Sequence, residues 1–280
     1  MYALIATGYS LVFSMVGMIN LAYGSILTVG SLVGYQFAIQ TGWGHIVGIA
    51  IAMLFCGMLG LLTDFTAVEP IRRQRLPMYF ALLSTFGVNT VIQSVAENVT
   101  LKTWATEFKA FPAPIESKVF HVLGIQFSNF DLVVVFTVVF IMVLIDLVMK
   151  RTWAGTAVRA TASRAEVAEI VGINTRNVIA LTFFASCALA SVAGIMLGMY
   201  YGTVSSSLGA SPGTKGFIAV LIGGRGQIAG AVLGAILLGL LESLAAGVIG
   251  SGYRDLVSFV VLVLVLLIKP SGILGSPETR

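Results

Sequence analysis

Residues 132–149 form an unbroken apolar run with one charge in it, Asp146. Similar runs recur at residues 2–19, 24–39, 46–68, 78–96, 178–201, 227–249 and 256–268, with a shorter one at 216–223. An α-helix rises 1.5 Å per residue, so roughly 20 apolar residues match the ~30 Å hydrocarbon core of a bilayer. A chain built of such runs has lipid as its solvent. Composition agrees, since 58% of residues are hydrophobic and 10% charged, against about 25% charged in soluble domains. No water-soluble fold of this length buries that much apolar surface. The expectation is an all-α, polytopic membrane protein with about eight transmembrane helices. The run at 216–223 is too short to span and reads as a re-entrant segment, which requires protein or a water-filled cavity around its backbone. Every long loop has fewer than 40 residues, so residues 1–280 read as a single transmembrane domain.

Charge placement gives orientation. Loop 69–77 carries Arg72, Arg73 and Arg75, and loop 150–177 carries Lys150, Arg151, Arg159, Arg164 and Arg176. Two spans separate these loops, so the positive-inside rule puts both in the cytoplasm. Residues 97–129 balance three lysines against nearby acids, include Pro112 and Pro114, and read as an external loop. The side of the C-terminus stays open. The net charge of +4 fits basic cytoplasmic loops. It forms no basic stripe with interleaved aromatics, which excludes nucleic acid as a partner. The N-terminus lacks the basic region of a cleaved signal peptide.

Residues able to carry enzyme chemistry are scarce. His45 and His121 are the two histidines, both in or beside loops, and no HExxH or paired-cysteine pattern occurs. Cys56 and Cys187 lie in apolar runs and read as small buried hydrophobes. No catalytic residue, metal site or cofactor is expected. The stretch SPGTKG at 211–216 has the residue types of a phosphate loop, but Thr214 precedes Lys215 and no strand comes before it. Any ATP hydrolysis therefore belongs to another chain.

Small and polar residues inside the runs are more informative. Gly194, Gly198 and Gly202 recur every four residues, as do Gly226, Gly230 and Gly234. That period puts each set on one helix face and predicts close helix packing, which is compatible with faces that slide during transport. Thr85, Asn89 and Gln93 form a polar stripe with Glu97 one turn further. Such a stripe either lines a water-filled path or makes interhelical hydrogen bonds. Asn20 stands just before Gly24, and either satisfies unwound backbone beside a cavity or caps a helix. Glu242 and Asp146 are single acids with no evident basic partner on their own helices.

The stretch SRAEVAEIVGIN at 163–174 stands apart. Ser163 and Glu166 match a capping box, and Glu166 and Glu169 fall in the first turns, where the helix dipole favours acids. Val167, Ile170 and Val171 make a small apolar face, and Gly172 suits a left-handed stop. A helix of about eight residues is not stable alone. It either packs beneath its own membrane domain or projects as a cytoplasmic knob into the groove of a partner, the part an importer driven by a separate ATPase needs.

Several stretches together resemble a known family. They are YALIA at 2–6, GMINLAYG at 17–24, GINT at 172–175 followed by VIALTF at 178–183, GGRGQIAGA at 223–231 and KPSGILG at 269–275. The chain resembles, over nearly its whole length, a permease subunit of a branched-chain amino acid ABC transporter of the LivH type. It departs from that family at Tyr23, where histidine is common, and by having fewer residues ahead of YALIA. The resemblance implies a multi-pass permease of the bacterial plasma membrane that is not itself an enzyme. It implies a second related permease, two ATP-binding subunits and an extracytoplasmic substrate-binding protein as partners. It places ATPase docking at Ser163, Arg164, Glu166, Glu169 and Gly172. Asn20, Thr85, Asn89 and Gln93 are the candidates for the translocation path. The alternatives are a urea or short-amide ABC permease, and an ATP-independent channel or secondary carrier, which the lack of an evident intramembrane acid–base pair disfavours.

Overall fold

The computed structural model describes residues 1–74, 76–77, 79–104, 107–112, 119–122, 125–224 and 226–275. Arg75, Met78, Pro114 and Arg225 lie outside the described residues, as does the side chain of His121. Helix α1 (Tyr2–Val16) is buried on every side from Leu4 to Val12, as expected for an all-round apolar helix at the centre of a bundle. It stops at Gly17, whose φ of 70° is left-handed, with the Gly17 N–H on the Phe13 carbonyl. The chain then breaks and restarts as α2 (Tyr23–Tyr35), extended by a wide π turn over Gln36–Gln40. Helix α3 (His45–Thr63) runs through a second π turn (Asp64–Val68) into α4 (Glu69–Arg73), where Pro70 occupies the tolerant first turn.

Next come α5 (Tyr79–Trp104), the short strands β1 (Phe108–Ala110), β2 (Val119–Val122) and β3 (Ile125–Ser128), and α6 (Asn129–Arg151). A capping box of Ser128 and Asp131 starts α6. Then follow α7 (Trp153–Ser163), α8 (Ala165–Ile170), α9 (Thr175–Tyr201), β4 (Thr203–Ser205), α10 (Ala210–Gly223), α11 (Ile228–Val248) and α12 (Arg254–Ile268).

Among the described residues, six helical stretches are long and apolar enough to cross a membrane, not the eight expected. The shortfall has a local cause. The break at 17–22 leaves α1 with 15 residues and α2 with 13, each shorter than the roughly 20 that a bilayer needs. Helix α10, with 14 residues, starts upstream of the run at 216–223 and is likewise too short. The multi-pass all-α architecture stands. The segment 97–129, expected to be an external loop, contains the last turns of α5, the antiparallel pair β2–β3, and β1, which pairs with β4 beyond α9.

The short helices occupy the centre. Helix α1 packs on α9, α10 and α11, and α2 packs on α3, α5, α9 and α10. Helices α5, α6 and α12 form the periphery, with Phe136, Phe140, Leu264 and Leu267 among their exposed apolar side chains. Such surface suits lipid or a neighbouring membrane subunit and would be costly in water. Helix α9 defines the two ends of the bundle. At its start Arg176 pairs with Glu69, bringing the two basic loops together. Just past its finish β4 pairs with β1, aligning Thr203 with Ala110. The Ile273 and Leu274 N–H groups bond the carbonyls of Ile222 and Gly223, and Gly226 lies against Ser14 near the end of α1. The C-terminal segment therefore sits at the basic end.

Four of the six spaced glycines lie at close helix contacts. A Cβ on Gly194 would stand 2.1 Å from the Leu27 carbonyl oxygen, and one on Gly234 would stand 2.2 Å from that of Ala219. Gly198 faces the Phe111 ring and Gly230 faces the Gly223 carbonyl. Gly202 and Gly226 correct the pattern, because neither is on a helix face. Their φ values of 68° and 76° put them in left-handed turns after α9 and before α11. We expect Gly194→Ala to cost about 3 kcal/mol or more through overpacking against backbone. Gly247→Ala, with nothing within 4 Å, should gain about 0.5–1 kcal/mol of helix propensity. Thermal midpoints in detergent would show the opposite shifts, and equal midpoints would refute the contrast.

Candidate functional site

The polar stripe of α5 faces the two places where the chain leaves helix inside the bundle. Thr85 is fully buried, and its hydroxyl accepts the Leu21 N–H at 3.3 Å while donating to the Leu82 carbonyl at 3.0 Å. Two turns on, the Gln93 amide donates to the Ser206 carbonyl at 2.9 Å and to Glu97 at 2.8 Å. Asn89 lies between them, half-buried. One side of α5 thus satisfies backbone at both breaks, residues 17–22 and 206–209. The bonds that leave α5 go to irregular backbone at Leu21 and Ser206, not to a facing helix.

Asn20 belongs to the same seam. It is 1% exposed, and its Oδ1 accepts the Ala22 N–H at 3.1 Å, which turns the chain into α2. Its Nδ2 is buried without a hydrogen-bond partner. Helices α2 and α10 cross beside it. The Gly209 N–H donates to the Thr28 hydroxyl at 2.9 Å, and a Cβ on Gly213 would stand 2.8 Å from the Gly24 Cα. Both short helices begin at this crossing, so two helix N-termini lie inside the bundle. A separate cavity of about 550 Å³ between α2, α3 and α5 is lined by apolar groups such as Val29, Leu32, Phe55, Val95 and Trp104. Its lining is mostly apolar, with Gln36, Thr100 and Thr103 as the polar side chains.

The buried charges depart from the sequence expectation. Glu242 has a basic partner on a neighbouring helix. The Lys215 ammonium of α10 is 2.6 Å from its carboxylate and 2.9 Å from Asp255, in the first turn of α12. A buried acid–base pair between helices therefore exists. Lysine and glutamate inside apolar segments were the available signal, but their 27-residue separation hid the pairing. Asp146 is also paired, with Lys150 one turn along its own helix at 2.9 Å. Both of those side chains are more than half exposed, so the contact contributes little.

At the basic end, α7, α8 and α9 form an elbow. Ser163 does not cap α8, because it is the last residue of α7 and remains helical. The break falls at Arg164, whose extended backbone (φ −153°, ψ 102°) is the actual N-cap, with no side-chain hydrogen bond. The expected capping box with Glu166 is absent, and Glu166 keeps only its favourable first-turn position. The stop is as the sequence predicts. Gly172 has φ 87°, and the Ile173 N–H bonds the Ala168 carbonyl at 3.0 Å, closing a Schellman turn.

Only Ala168 of α8 is buried, and Ile170 is 84% exposed, with Val167 and Val171 also open. Among the described residues, nothing covers the apolar face of α8. The element is nonetheless held firmly. Glu169 accepts a hydrogen bond from the Thr175 hydroxyl, Asn174 caps α9 through the Asn177 N–H at 3.1 Å, and Arg176 clasps Glu69 at 2.8 Å. These contacts join α8 to α9 and α4.

Thr85→Val keeps side-chain size but leaves the Leu21 N–H unpartnered at membrane depth, which should cost about 1–3 kcal/mol. Thr85→Ser should restore most of it. Matching thermal midpoints for the two variants would remove the role given to the hydroxyl.

Comparison with known proteins follows the geometry. The family model described as "Branched-chain amino acid transport system / permease component" matches residues 1–266. The chain is 35% identical over 294 residues to the high-affinity branched-chain amino acid transport system permease protein LivH of Escherichia coli K12, covering all of this chain and 92% of that protein. It is 34% identical over 293 residues to the permease protein BraD of Pseudomonas aeruginosa, covering all of this chain and 93% of that protein. A more distant relative, the fructose import permease protein FruF of Bifidobacterium longum, is 26% identical over 96% of this chain and 74% of its own length. No solved structure matches.

Proposed function

The chain belongs to the branched-chain amino acid transport permease family, and on that premise we propose that it carries branched-chain or related small amino acids inward across the bacterial plasma membrane. It is the permease subunit of an ABC importer and a multi-pass membrane protein. In the assembly we propose, residues 1–280 act as one permease unit beside a second, related permease. Two ATP-binding subunits hydrolyse ATP on the cytoplasmic side, and an extracytoplasmic binding protein delivers the solute.

The observation that carries this reading is α8, an uncovered apolar face fixed at the basic end of a membrane bundle. Arg164, Glu166 and the Val167, Ile170 and Val171 face meet the ATP-binding subunit. Ser163 ends the preceding helix, Gly172 shapes the turn, and Glu169 holds the element to Thr175. Closure of the motor dimer pushes α8, and α9 carries the displacement along the bundle, because Gly194 presses it against α2. The solute passes beside Asn20, Thr85, Asn89 and Gln93. There the unpartnered Asn20 amide and the two irregular segments supply hydrogen-bonding groups that a zwitterion needs in place of water.

The test is reconstitution in proteoliposomes with the partner subunits and binding protein. Uptake of labelled leucine, isoleucine or valine should require ATP. Uptake driven by an ion gradient alone would overturn the reading. An apolar side chain contributes about 1.5–3 kcal/mol when buried, so Ile170→Ala should weaken capture of the ATP-binding subunit by about tenfold to a hundredfold. Glu166→Arg should abolish uptake while leaving the membrane helices folded. Wild-type capture and uptake in both variants would remove α8 from the contact.

A further inference from the structure

Helix α10 is gripped on two sides by different chemistry. Toward α1 and α2 it presents glycine and backbone, through Gly209, Gly213 and Gly216. Such a face allows close approach, and the large side chain beside the glycines, Phe217, meets the Tyr9 ring of α1 only loosely, at 6.5 Å between ring centroids. On the opposite side Lys215 reaches Glu242 on α11 and Asp255 on α12, and its ammonium lies 5.8 Å from the centre of the Tyr2 ring. The Lys215 and Glu242 side chains are 9% and 7% exposed, whereas Asp255 is 67% exposed. At the other end of α10, the segment after α12 bonds the Ile222 and Gly223 carbonyls. Helix α12 and the segment that follows it thus hold α10 at both ends.

Buried ion pairs are poor stabilisers, since apolar replacements of similar volume often hold helices together as well. What charges add is a defined partner at a defined height. We propose that Lys215 is a positioning residue for transport. By bridging Glu242 and Asp255 it sets the depth of α10 at which Gly209 meets Gly24, and so keeps the seam closed on the side of β1 and β4. The exposed pair with Asp255 is the part that yields when the seam opens. The consequence for transport rests on the importer reading, whereas the placement of α10 is a property of this chain alone.

The experiment uses the full chain in membrane vesicles with its partner subunits. Ser206 is buried just above the crossing, and the native Cys56 and Cys187 are buried too. A Ser206→Cys chain is exposed to a membrane-impermeant maleimide applied from the extracytoplasmic side. Modification of a buried thiol follows local opening, so adding Lys215→Met should speed labelling about tenfold, while Lys215→Arg should stay within about twofold of the parent. Asp255→Asn should give a smaller rise, and it carries the test if the Lys215→Met chain is not recovered. Unchanged labelling in Lys215→Met, or in Asp255→Asn where only that chain is recovered, would overturn the proposal.

In the transport assay Lys215→Met should lower the maximal rate per assembled complex with KM unchanged. A loss that scales only with the amount of assembled protein would mark a merely structural contact and would also overturn it. Faster labelling in a chain that shows no ATP-driven uptake would sink the importer reading and leave the positioning role standing.

Discussion

In hydrocarbon, no water completes the hydrogen bonds of a broken helix. Two breaks inside this bundle, at 17–22 and 206–209, therefore dictate much of the rest. Thr85 and Gln93 of α5 supply groups to each of them, Asn20 turns the chain within the first, and Thr28 receives the Gly209 N–H in the second. The polar stripe, the half-length helices and the glycine crossing at Gly24 are one device. Each is needed because the others leave backbone exposed. The device gathers hydrogen-bonding groups inside the bundle, where the proposed path runs.

In the proposed mechanism α9 joins this seam to the basic end. Its first turn is held by Asn174, by Arg176 on Glu69, and by Thr175 on Glu169 of α8. Further along, Ser186 donates to the Gly8 carbonyl at 2.7 Å, and Gly194 packs on Leu27. A displacement of α8 has a continuous, well-packed route to α1 and α2, the helices that flank the first break. The opposite end is held by other means, the β1–β4 pairing and the ion pairs of Lys215. In the proposed mechanism the bundle takes mechanical input at one end and is tied by charge at the other, with the seam between them.

The sequence by itself determined the solvent, the class and the polarity of the molecule. Long apolar runs with few charges dictate helices in lipid, and the basic loops predict by the positive-inside rule which end faces the cytoplasm. The i, i+4 spacing put Thr85, Asn89 and Gln93 on one side of α5, and Gly172 marked the end of α8, because those features depend on neighbours within one helix. Tertiary structure decided everything that depends on distant residues. Whether Ser163 caps α8 turns on where α7 stops, and α7 runs one residue too far. Whether a glycine packs a helix face or turns a corner depends on the element around it, which separates Gly194 and Gly234 from Gly202 and Gly226. Eight apolar runs became six full spans because the runs on either side of the first break fold into helices of 15 and 13 residues, each too short to span. The partner of Glu242 is far along the chain and lies on a helix that only the packing of α10 against α11 brings within reach. Periodicity is a local property and is written in the order of residues. Pairing across a bundle is a property of the folded shape.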